Sequence, residues 1–105
     1  MSDLEQTCET LEGYVVDLAC LRRYPQVEAK TRAEVHTTEC ALMGHCVESG
    51  YGLVDQEGRV IPLDTHATPL VVAVLGNSHN NQGVRLSVQR EMKGTEMQTI
   101  QIEEV

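Results

Sequence analysis

The sequence predicts a mainly β domain, a small five-stranded barrel whose first long connection is a helical insertion. Three observations carry this. Five short runs are rich in Val, Ile, Leu and Tyr, turn signals separate the last four of them into two hairpins, and the stretch between the first and second runs changes to helix-cap and soft-ligand residues. At 105 residues the chain has room for one modest core, read as a single domain with an N-terminal segment over 1–12 and the insertion over 21–50.

Gly13 to Cys20, GYVVDLAC, reads as the first strand because Val15 and Val16 favour extended backbone and both faces carry apolar groups. Leu21 to Gln26, with Pro25 and two arginines, reads as a loop. Thr31-Arg32-Ala33-Glu34 fits a capping box, in which hydroxyl and carboxylate each accept from the other residue's backbone N–H, so a helix is expected to start near Arg32. Gly44 is the matching stop, giving a helix from Arg32 to Met43.

Tyr51 to Val54 and Arg59 to Leu63 are β-prone runs joined by the turn Asp55-Gln56-Glu57-Gly58. Thr68-Pro69 and Gly76 bracket LVVAVL as a short helix, although its three valines would suit a strand as well. Gly76 to Gly83 is a polar loop. Val84, Leu86 and Val88 alternate with polar residues, as do Ile100 and Ile102, with Lys93-Gly94 as the turn of a terminal hairpin. This order suits a barrel of the OB type with a short helix between its third and fourth strands.

Composition narrows the function. There is no Phe or Trp, so aliphatic side chains must build the core, and a bound metal or a subunit interface would be a useful supplement. The formal charge of −8 repels phosphate backbones, and the base-stacking aromatics and basic groove of oligonucleotide binders are missing; nucleic acid is excluded as a partner. No apolar window reaches a membrane span, and MSDLEQTCETLEG does not read as an export signal. A cytoplasmic location is expected, where four cysteines suit metal ligation or thiol chemistry better than a disulfide framework.

On a helix from Arg32 to Met43, His36 and Cys40 stand one turn apart on one face, half of a metal site. Gly44 then turns the chain and brings back Cys46, while Cys20 enters from the end of the first strand. Cys20, His36, Cys40 and Cys46 offer three thiolates and one imidazole, a set that suits tetrahedral zinc with no open position. His45 is the backup for Cys46, and Asp17 is a candidate orienting partner for the far nitrogen of His36.

The rival readings are a disulfide from Cys20 to Cys40 or Cys46, and a catalytic thiol at Cys46 or Cys40. Cys8 reads as a thiol outside the site, and His66 and His79 read as solvent-facing loop residues.

Gly13-Tyr14-Val15-Val16-Asp17 with Cys20, His36-x3-Cys40-Ala41-Leu42-Met43-x2-Cys46 and Ser49-Gly50-Tyr51-Gly52 resemble a group of small bacterial proteins of unassigned function. These share G-x-V-x-D-x2-C, H-x3-C-x-L-M-x2-C and S-G-Y-G, and the likeness covers about half the chain. The resemblance implies a common site at Cys20, His36, Cys40 and Cys46, with His45 outside the shared pattern; it brings no activity with it. Members of the group often carry export signals, which this N-terminus lacks.

The expectation is therefore a small soluble module with structural zinc, acting as a binding or accessory protein for an unidentified protein or small molecule. The first alternative is a metal-handling or thiol/disulfide redox protein in which Cys20, Cys40 and Cys46 hold copper or iron or form a labile disulfide. The second is a thiol enzyme.

Overall fold

A long first strand organises the molecule. The computed structural model describes residues 8–23 and 25–105, with the side chains of Gln26 and His45 outside that description. β1 spans Cys8–Asp17 and has two antiparallel neighbours: β4 (Arg85–Lys93) along Cys8 to Tyr14, and β2 (Tyr51–Val54) along Tyr14 to Asp17. Outside these lie β3 (Val60–Pro62) and β5 (Glu96–Glu104), giving one sheet in the order β3-β2-β1-β4-β5. The strand thus begins before Gly13 and takes in Cys8, while Leu18 to Cys20 leave the sheet.

The change of partner occurs beside Gly13. A Cβ there would lie 2.7 Å from the Val54 carbonyl oxygen, so only glycine lets β1 pass this close to the second strand. Gly13→Ala is expected to lower the urea unfolding free energy by about 1–3 kcal/mol with an unchanged m-value, the signature of local overpacking.

The sheet is open, not the closed barrel expected. Its first edge is too short to complete a seam: β3 has three residues, the last of them Pro62, which has no N–H to donate. A side-chain clasp joins the two ends instead. Asp64, just past β3, accepts from the Thr99 backbone N–H at 3.1 Å and from its hydroxyl at 2.6 Å, on β5. Opposite Gln89 and Arg90 the β5 register slips by one residue at Ile100, a bulge that leaves Ile100 exposed.

Two apolar clusters lie against the sheet. The larger gathers Val15, Leu53, Leu86 and Val88 with Val71 and Leu75 of α5 (Ala67–Asn77), so the LVVAVL run is helical. The smaller sets Val16 and Val54 against Cys20, Ala29 and Ala33 of the insertion. Successive valines of β1 therefore serve opposite clusters, the structural reason for its unbroken apolar run.

The insertion is a chain of short helices: α1 (Leu18–Leu21), a 3-10 turn (Gln26–Glu28), α2 (Ala29–Glu34), α3 (Thr38–Ala41) and α4 (Gly44–Ser49). The single helix expected over Arg32 to Met43 is divided. Its proposed cap Thr31 lies inside α2, and its proposed stop Gly44 opens α4. The break at Val35 to Thr37 is held by the 81–83 strap: Gly83 N–H donates to His36 O at 3.0 Å and Thr38 N–H to Asn81 O at 2.9 Å. Two further bonds fix the insertion to the strands, Leu18 N–H to Gly50 O at 2.9 Å and Tyr51 hydroxyl to Ala41 O at 2.6 Å. Among the described residues no helix is long and apolar enough to cross a membrane.

Candidate metal centre

The same local rule positions each sulfur. Asp17 ends β1 in extended backbone and caps α1, its Oδ2 accepting from Cys20 N–H at 2.9 Å. Thr37 caps α3 in the same way, its hydroxyl oxygen accepting from Cys40 N–H at 3.1 Å. Met43 precedes α4, where Cys46 N–H donates to the Met43 carbonyl at 2.9 Å. Each cysteine is thus the third residue of a short helix, in the first turn, and the three first turns face one another.

The result is a tight group. One ligand atom each from Asp17, Cys20, Cys40 and Cys46 all lie within 4.8 Å of one another, and the group could hold a metal ion. Cys20 Sγ and Cys40 Sγ are 4.0 Å apart. Tetrahedral zinc with sulfur ligands has an S–S edge of about 3.8 Å, so this pair fits a shared ion with little movement. Asp17, Cys20 and Cys46 are buried, and Cys40 is partly exposed.

His36 stands outside the group and behind it. Its Nε2 is 2.9 Å from Asp17 Oδ1, so the imidazole reaches the sulfurs through the carboxylate. The expected set placed His36 on the ion and Asp17 behind the ring; the geometry places Asp17 among the sulfurs and His36 behind it. The reason is the break before α3, which removes His36 from the helix that carries Cys40. A signal for Asp17 was present in the sequence: Asp three residues before Cys is an N-cap spacing that sets the carboxylate beside the sulfur.

The backup ligand His45 has its side chain outside the described residues. Cys8 is exposed on β1, and His66 and His79 are exposed in loops. No disulfide joins any two of the four cysteines.

The group sets one buried anion among buried thiols. Burial pulls the Asp17 carboxyl up, but hydrogen bonds from His36, from the Cys20 backbone N–H and from the Cys46 and Cys20 thiols outweigh it and bring it down to about 2. Asp17 is therefore an anion at neutral pH. The thiols move the other way: burial, then the Asp17 charge, push Cys20 up to about 12, and burial with the hydrogen bond to Asp17 pushes Cys46 up to about 11. A bound cation would reverse this balance by favouring the thiolates.

No family model, curated protein or solved structure matches the chain.

Proposed function

We propose that the protein is a small zinc-binding module in which Cys20, Cys40 and Cys46 ligate the ion, Asp17 supplies the fourth donor and His36 orients Asp17. The observation that carries this is the convergence of one carboxylate and three sulfurs from three separate short helices within 4.8 Å. Four protein donors leave no open position, so the zinc is structural: it fastens the insertion to the end of the sheet and activates no water. The module acts as a binding or accessory protein in the reducing cytoplasm, where thiols remain available to metal.

Two alternatives weigh less. Three sulfurs would also suit copper(I), which X-ray absorption separates from zinc, or iron, which colour separates from it. A thiol enzyme acting through Cys46 needs a depressed nucleophile pKa, whereas burial and the neighbouring Asp17 push that thiol up to about 11.

Metal analysis of untagged protein tests the reading. One zinc per chain in a colourless sample is expected; a brown sample with iron, or no metal retained after zinc loading, would overturn it. Affinity should also follow proton release. With Cys20 and Cys46 both protonated at neutral pH, zinc must displace at least those two protons, and each makes binding tenfold tighter per pH unit. Chelator competition is expected to show the dissociation constant falling at least about 100-fold per unit as pH rises between about 6 and 8.

A further inference from the structure

Burial is uneven around the sulfurs. Cys46 is 1% exposed and Cys20 is 9% exposed, but Cys40 opens onto a cavity of about 200 Å³. Its lining is mixed, the apolar Val16, Leu21 and Val35 together with Arg32, His36 and Thr37. A water molecule takes about 30 Å³ in the liquid, so the cavity admits hydrogen peroxide or a small alkyl hydroperoxide. The sulfur nearest such a visitor has Cys20 Sγ 4.0 Å from it, and the Cys20 and Cys46 thiols both hydrogen-bond to Asp17.

We propose that Cys40 is a site of oxidation by small hydroperoxides and that Cys20 resolves it into a disulfide. In the first step Cys40 Sγ attacks one peroxide oxygen; the S–O bond forms, the O–O bond breaks, and the leaving oxygen takes up the thiol proton and departs as water or alcohol. Cys40 is then a sulfenic acid. In the second, Cys20 Sγ attacks the Cys40 sulfur; the S–S bond forms, the S–O bond breaks, and hydroxide leaves with the Cys20 proton as water. The two thiols lose two electrons and the hydroperoxide gains them. Closing the pair from 4.0 Å to a bonded distance of about 2.05 Å removes two of three sulfurs from the metal group. The disulfide stands on the thiol geometry alone; the expulsion of zinc that follows rests on the metal reading above.

The test uses the full chain with Cys8→Ser, so that the exposed Cys8 takes no part. Metal-free protein is treated with one equivalent of hydrogen peroxide, alkylated, digested and mapped by mass spectrometry. The Cys20–Cys40 peptide is expected at least fivefold above any pair containing Cys46, and adding Cys20→Ser should leave a sulfenic acid at Cys40 that a dimedone probe captures. Cys46 as the main partner, Cys40 stopping at the sulfinic acid with Cys20 present, or four-fifths of the thiols surviving would each overturn the proposal. Zinc-loaded protein, followed with a chromophoric chelator, should release one zinc per disulfide formed. A disulfide in a protein that never binds zinc would support the oxidation site while refuting the zinc reading; zinc binding with no disulfide in the metal-free protein would refute the oxidation site alone.

Discussion

Adding one equivalent of zinc to metal-free protein is expected to raise its thermal unfolding midpoint by more than 10 °C. A ligand that binds only the folded state adds about 2.7 kcal/mol at a free concentration one hundred times its dissociation constant, and a domain of this size gains roughly 4–8 °C per kcal/mol. The sheet and α5 have their own core, so the metal-free protein should retain them, unlike a zinc-finger peptide, whose fold depends wholly on its ion. Differential scanning calorimetry with and without a strong chelator measures the shift. Cys46→Ser is expected to abolish it by removing a buried donor. A shift of the same size in that variant would place the ion elsewhere.

Among the four proposed donors, Asp17 is the one whose change to Ala should most damage the metal-free fold. Asp17→Ala removes the cap on Cys20 N–H, worth about 1 kcal/mol, and the hydrogen bond to His36, worth about 1.5–3 kcal/mol for a charged partner. A loss of about 3 kcal/mol in urea unfolding is expected at pH 7. The pH dependence identifies the carboxylate as the cause. The folded carboxyl titrates at about 2 against an ordinary 3.8, so its stabilising effect is complete above pH 3.8 and disappears as pH falls through 2. The gap between wild type and variant should therefore narrow by about 2 kcal/mol over that interval.

His36→Ala separates the two candidates for the fourth donor. If His36 orients Asp17, zinc stoichiometry survives and affinity drops by about 10–100-fold. If the ring ligates zinc, the variant loses a donor outright.

The hairpins were legible in the sequence because their cues are local. Leu86 and Val88 alternate along β4, just after Val84, and Lys93-Gly94 lies at the turn into β5. The insertion was harder, since what divides its helix is remote: the strap at 81–83 takes the His36 carbonyl and the Thr38 N–H, and no pattern within residues 32–43 reports this. The three cysteines were recognisable as a soft cluster from composition and spacing. Their meeting depends on caps at Asp17 and Thr37, which a reading centred on an i to i+4 helix face passes over. Barrel closure failed for a reason visible in one residue, since Pro62 sits where a closing strand needs a donor.

The excursion from Leu18 to Ser49 leaves and rejoins the sheet at adjacent strand ends, where Leu18 N–H meets Gly50 O and Asp17 pairs with Tyr51. Such a neck lets the excursion open as its own cooperative unit without unzipping the strands it departs from. Amide hydrogen exchange should then resolve two populations, a slow one in β1, β2 and β4 and a faster one from α1 to α4, and only the faster should respond to zinc.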